Sequence, residues 1–247
     1  MLKSLRVALL ALCLPGLAHA DQPAFTPAQR LEIVKIMREA LKADPTILRD
    51  AVGALQAEDQ DKESSASRNA VAANRAVLFN NAADPQAGNA KGDVTLVEFY
   101  DPRCPYCRRV LQSVAGVVAK DSKLRLVYKD IPVLGPDSTT EARAILAAQR
   151  QGAYLKMQEA LMSDPGKPTE AGLRVVAGHL GLNADKLIAD MNGQSVGDQI
   201  KANMKLARAL HVTGTPTFVV GDDVIPGAVD ADQLEEAIAD ARKHPAH

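Results

Sequence analysis

Two cysteines stand three positions apart in the stretch YDPRCPYCRR, residues 100–109: Cys104 and Cys107. Thiols at this spacing can do three kinds of chemistry. They can clip a metal, staple a fold, or pass electrons by opening and closing a disulfide. As a staple the pair is weak, because a bridge over two intervening residues closes a tiny loop and restricts the unfolded chain little. As a zinc clip it is half a site: the third cysteine is Cys13, and no second C-x-x-C or histidine-rich tract supplies the missing ligands. Two adjacent soft thiolates do suit Cu(I), which accepts few ligands. Redox exchange needs nothing more than the pair itself and elements that hold it.

Those elements can be read outward from the pair. VTLVEFY, residues 94–100, is β-branched and aromatic, a buried strand that ends just before Cys104. Val110, Leu111, Val114, Val117 and Val118 then repeat at helical spacing. LRLVYKDI, residues 124–131, predicts the next strand, and strand, helix and parallel strand make a right-handed crossover. Cys104 thus falls where a strand gives way to a helix. Unpaired N–H groups and the positive end of the helix dipole favour a thiolate there. Pro105 fits the first turn, where its missing N–H costs nothing. Arg103, Arg108 and Arg109 are expected to add positive potential.

Residues 138–210 are expected to be mostly helical, with a capping box of Ser138 and Glu141 and N-caps at Thr169 and Asn183. TPTFVVGDDVIPG, residues 215–227, predicts a hairpin, and a final helix follows over about 231–242.

The order strand, C-x-x-C, helix, strand, helical block, Thr-Pro, hairpin, helix resembles the thioredoxin-fold disulfide oxidoreductases of the DsbA type. The matching pieces are VEFYDPRCPYC, VYKDIPVLGPDS and GTPTFVVGD…IPG, spread over residues 92–242. The resemblance implies an α/β chain with a thioredoxin-like fold carrying a helical insertion and preceded by an N-terminal α-helical extension. It implies catalysis at Cys104 and Cys107 through a reversible disulfide, with no cofactor. It makes Thr215-Pro216 a cis-proline loop that, with Pro105 and Tyr106, meets the substrate. Glu98, six residues before Cys104, becomes the buried acid that moves protons, with Lys129 as its expected counter-charge and Arg125 as the rival. Tyr106 departs from the family's strongest oxidant, which has a histidine there; Tyr106 brings no positive charge, so a milder pair is implied, suited to oxidation, isomerisation or reduction.

At the N-terminus, MLKSLRVALLALCLPGLAHADQ has a basic start, an apolar run over 7–14 and the small-x-small signal Ala18-His19-Ala20. This predicts a signal peptide at 1–20 and a periplasmic protein. The run is far shorter than the ~20 residues a membrane span needs. Residues 21–60 follow as a helical region: Thr26 and Pro27 open one helix and Asp44-Pro45 a second. Their stripes, Leu31 to Leu41 and Ile47 to Leu55, are too short to fold alone, so a dimer or trimer of the chain is expected. Residues 61–85 read as a helical linker without Gly, and 86–247 as the DsbA-like domain. The amphipathic extension followed by GNAKGDVTLVEF resembles the ScsC-like subgroup, which implies oligomerisation through that extension. Exported proteins bearing thiols or disulfides, and a membrane redox partner, are the implied partners. With 29 basic against 30 acidic residues, nothing points to nucleic acid.

Overall fold

The computed structural model describes residues 25–244. The leader read at 1–20 lies outside them. Contacts divide the chain into two compact units, with the divide between Glu58 and Asp59.

Helix α1, Pro27–Ala43, starts as the sequence predicts: Thr26 and Gln29 form a reciprocal capping box and Pro27 takes the first position. Asp44 then accepts the backbone N–H and the hydroxyl of Thr46, which opens α2, Thr46–Phe79. No residue of α1 is buried. Its apolar stripe, including Leu31, Val34, Met37 and Leu41, is exposed, and so are Ile47, Leu48, Val52 and Leu55 at the start of α2. The polar stretch after Leu55 does not form a separate element. It has no Gly or Pro to stop it, and α2 runs through it unbroken for 34 residues.

The second unit is built on a sheet of order β1-β3-β2-β4-β5. β2, Val94–Tyr100, leads through α3, Pro105–Lys120, to β3, Leu124–Asp130, and β2 and β3 pair in parallel. Five helices follow: α4, Pro136–Gln149; α5, Tyr154–Ser163; α6, Glu170–His179; α7, Ala184–Asn192; and α8, Gln194–Ala209. The chain returns as β4, Thr217–Val220, antiparallel to β2, and β5, Asp223–Pro226, before α9, Ala231–Lys243. Thr169 and Asn183 cap α6 and α7 as expected.

Two local expectations change. Ser138 and Glu141 are not a capping box. Gly135, at φ 113°, turns the chain so that Pro136 becomes the first helical residue, which puts Ser138 and Glu141 inside α4, both buried. The turn-rich stretch 83–93 also holds a strand, β1, Gln86–Gly88, antiparallel to β3. It ends at Gly88, at φ 71°, where an added Cβ would lie 2.5 Å from the Leu124 carbonyl oxygen.

Strand alternation sorts side chains onto two faces. Leu96, Tyr100, Leu124, Leu126, Tyr128, Phe218 and Val220 pack with α3, α4, α5 and α9. Val97, Phe99, Val127 and Val219 pack with Val71 and Leu78 of α2 and Leu206 and Leu210 from the end of α8. Residues of β3 also satisfy carbonyls that the end of α2 leaves open. Arg125 donates to the Phe79 carbonyl (2.6 Å) and Lys129 to that of Val77 (2.7 Å).

Candidate active site

Cys104 is the N-cap of α3 and Pro105 its first residue. Both cysteines are thiols in this structure and both are buried. The site's loop is tied down by Asp101, itself fully buried, whose carboxylate accepts the backbone N–H of Arg103 (2.7 Å), Val133 (2.7 Å) and Leu134 (2.9 Å). One carboxylate thereby holds the turn before Cys104 against the loop that leaves β3. A turn-favouring acid three positions before Cys104 was the available signal for it.

The Thr215-Pro216 bond is cis, and the Cys104 thiol donates to the Thr215 carbonyl oxygen at 3.2 Å. The expected loop and the expected cysteine therefore meet. Pro105 and Tyr106 lie on the surface beside them, Tyr106 half exposed. Val133 and Leu134, also exposed, extend this apolar rim. His211, in the turn after α8 at φ 56°, lines a separate cleft of about 600 Å³ with residues of α2 and the β4–β5 hairpin.

Cys107 is fully buried, and burial pushes its thiol well up; the nearby Glu98 charge adds to the effect. Glu98 is buried too, on the face of the sheet that carries Tyr100 and Tyr128. Burial first, and then the Asp130 carboxylate, push its carboxyl up to about 8. No cation offsets this. Lys129, the expected counter-charge, pairs across β2 with Phe99 and so points to the opposite face, where it forms a buried ion pair with Asp84. Arg125, the rival, points the same way and bonds Thr95 and the end of α2. The sheet's period of two decides the matter: adjacent residues of β3 cannot both reach Glu98.

The arginines also differ from expectation. Arg103 bonds Glu141 at 2.6 Å, and Arg108 stands 3.7 Å from the same carboxylate. Both also bond main-chain carbonyls of the α5–α6 loop: Arg103 those of Pro165 and Gly166, Arg108 that of Asp164. Burial raises the Glu141 carboxyl and the arginines pull it back. These two cations are thus spent on an internal acid and on fixing a loop. Arg109 stacks over the Tyr106 ring, 4.8 Å from its centroid. Among the described residues no group of three or more His, Cys, Asp or Glu side chains could hold a metal ion.

Residues 95–239 match the family described as "DSBA-like thioredoxin domain", and residues 29–62 match "Copper resistance protein ScsC N-terminal domain". A thioredoxin-like oxidoreductase from Silicibacter pomeroyi is 46% identical, covering 69% of this chain and 98% of its own, with a TM-score of 0.66. Proteus mirabilis ScsC in a transitional conformation is 28% identical, covering 90% of this chain and 98% of its own, with a TM-score of 0.65. Among curated sequences, the Na(+)/H(+) antiporter NhaA 1 of Salinispora arenicola is 28% identical over 64% of this chain. The chain spans only 25% of that protein's length. No helix among the described residues is long and apolar enough to cross a membrane.

Proposed function

The chain belongs to the DSBA-like thioredoxin family of thiol–disulfide oxidoreductases, and we propose that it exchanges dithiols and disulfides on exported proteins through Cys104 and Cys107. The observation that carries this is the contact of the Cys104 thiol with the Thr215 carbonyl at the cis-proline loop, above a buried acid.

Acting on a substrate disulfide, the Cys104 thiolate attacks one sulfur. A Cys104–substrate mixed disulfide forms, and the other substrate sulfur leaves and takes a proton. Cys107 then gives its proton to the Glu98 carboxylate and attacks the Cys104 sulfur. The second substrate sulfur departs, is protonated, and two electrons have passed from enzyme to substrate. The same steps in reverse oxidise a substrate dithiol. Pro105, Tyr106, Thr215 and Pro216 form the face that meets the substrate: the main chain beside Pro216 offers an edge for an extended peptide, and Tyr106, Val133 and Leu134 offer apolar contact. Lys129 has no part in the proton step.

The leader at 1–20 supports export to the periplasm, where a membrane redox partner would reset the pair. Residues 25–55 form the self-association arm, in a dimer or trimer. The support is the apolar stripe of α1 and early α2, which lies exposed, with no residue of α1 buried. Oligomeric, the protein isomerises disulfides; as a monomer it acts as an oxidase. Copper tolerance through the same thiolates has less behind it: the segment matched to the copper-resistance name, 29–62, contains no cysteine or histidine.

The test combines insulin reduction, refolding of scrambled ribonuclease and sedimentation. The full-length protein should do both reactions as an oligomer, and a variant lacking residues 21–60 should be a monomer that reduces insulin but no longer isomerises. Loss of both reactions in Cys104→Ser is required. A full-length protein that sediments as a monomer at micromolar concentration would remove the arm from this reading.

A further inference from the structure

Beyond Glu98, the buried face of the sheet holds a second carboxyl that the reaction above does not use. Asp130 closes β3, and its side chain is fully buried. Tyr100 bonds its Oδ1 at 2.7 Å, Tyr154 bonds its Oδ2 at 2.9 Å, and the two phenol oxygens lie 2.8 Å apart. Three oxygen-bearing groups therefore form a closed ring of three hydrogen-bond contacts.

Proton counting gives this ring its meaning. Each contact needs one hydrogen, so the closed ring needs three. The phenols supply one each, because each Tyr has a single O–H. The third must come from the carboxyl. With Asp130 ionised, only two hydrogens serve three contacts, and one pair of oxygens faces without a proton. With Asp130 protonated, every contact is satisfied.

Glu98 stands two residues before Tyr100 on the same strand and face, about 7 Å along it. The groups around the two carboxyls come from every packed element. Tyr100 comes from β2, Tyr128 from β3, and Tyr154 and Gln158 from α5, while Asp84, in the loop after α2, acts on Asp130 from the opposite face, where Lys129 holds it. Asn203 of α8 donates to the Asp130 main-chain oxygen at 3.3 Å, and Cys107 of α3 feels the Glu98 charge. Among the described residues none of the groups on the face of Glu98 is a cation, so none of them neutralises two carboxylates at once.

We infer that Asp130, held in a closed ring with Tyr100 and Tyr154, is a second proton-holding carboxyl of the active site, the partner with which Glu98 shares protons. It rests on the thiol–disulfide reading and deepens it. Asp130 touches neither sulfur and is a positioning residue. When the ring loses its proton, the new negative charge holds Glu98's proton in place; when the ring regains it, Glu98 is free to ionise and accept the proton of Cys107. Two buried carboxyls without a counter-ion ionise one at a time and titrate as a pair. Burial pushes Asp130 up to about 7, against the pull of the two phenols, which fits that pairing.

The deciding variant is Asp130→Asn in the full chain. An amide has one acceptor and one donor arm for the ring, so all three contacts persist and the fold is kept, but the ring can no longer ionise. Insulin reduction is followed against pH for the native protein, Asp130→Asn and Glu98→Gln. Infrared spectra of the reduced proteins follow the carbonyl stretch of protonated carboxyls. The acidic limb of the native profile should disappear in Glu98→Gln. In Asp130→Asn it should move to lower pH by about one unit, the ordinary size of a lost like-charge effect. The infrared band should titrate near neutrality in the native protein and lose one component in Asp130→Asn. An unshifted limb in Asp130→Asn, or a native protein with no Asp130 band at acidic pH, overturns the proposal. If the native protein reduces no insulin at any pH, the proposed function fails while the infrared result still decides whether the ring holds its proton.

Discussion

Replacing Lys129 with methionine separates stability from catalysis. The Lys129 side chain is wholly buried and its ammonium makes two contacts, with the Asp84 carboxylate and the Val77 carbonyl of α2. Burial drives Lys129 down and Asp84 up, against their mutual attraction. Lys129→Met therefore leaves a buried acid without its cation and a helix-end carbonyl without its donor. Breaking one side of a buried pair costs about 3–5 kcal/mol. With a urea slope of about 2 kcal/mol/M, the unfolding midpoint should fall by about 2 M. The chain has no tryptophan, so near-ultraviolet circular dichroism of the packed tyrosines is the readout. Adding Asp84→Leu should recover most of the loss, since an apolar pair of similar size replaces a buried ion pair at little cost. The pH profile of insulin reduction should keep its acidic limb, because Lys129 and Glu98 lie on opposite faces of the sheet. A profile that loses its acidic limb as in Glu98→Gln would refute the face assignment, and an unchanged urea midpoint would refute the energetics.

Three further outcomes follow from the site. Iodoacetamide should label Cys104 in the reduced native protein while Cys107, fully buried and held protonated, reacts only on unfolding; peptide mapping of the labelled protein reads this, and equal labelling would contradict it. Glu98 binds its proton more tightly folded than unfolded, so its share of stability is complete below its ordinary value of 4.5 and is lost as pH rises to about 8. Glu98→Gln should flatten that decline in urea titrations taken across the window. Glu141→Ala, by stranding Arg103 and Arg108, should cost about 2 kcal/mol and speed hydrogen exchange in the α5–α6 loop they hold.

How much of this was legible in the chain depends on the range of each interaction. The strand at 94–100, the crossover to β3, the caps at Thr26, Thr169 and Asn183 and the Thr-Pro loop all declare themselves within a few residues, and all stand. Ser138 and Glu141 had the spacing of a cap, but Gly135 and Pro136 started the helix earlier. The destination of Lys129 was decided by parity along β3 and by Asp84, 45 positions away. The Asp130 ring gathers β2, β3 and α5, and an aspartate at a strand end carries no mark of the tyrosines it will meet. Likewise Arg103 and Arg108 looked like free charge beside Cys104 because their partner, Glu141, lies more than thirty residues on.

The bond from the Cys104 thiol to the Thr215 carbonyl has a consequence for how substrates come and go. A thiol can donate; a disulfide sulfur has no hydrogen to give. Oxidation of the pair therefore strips the Thr215 oxygen of its partner and leaves it a vacant acceptor beside Pro216, ready for a main-chain N–H of an incoming reduced polypeptide. Once that polypeptide has passed its electrons to the pair, the restored thiol competes for the same oxygen. Capture and release would then be timed by the redox state itself, through a single carbonyl, with no moving lid.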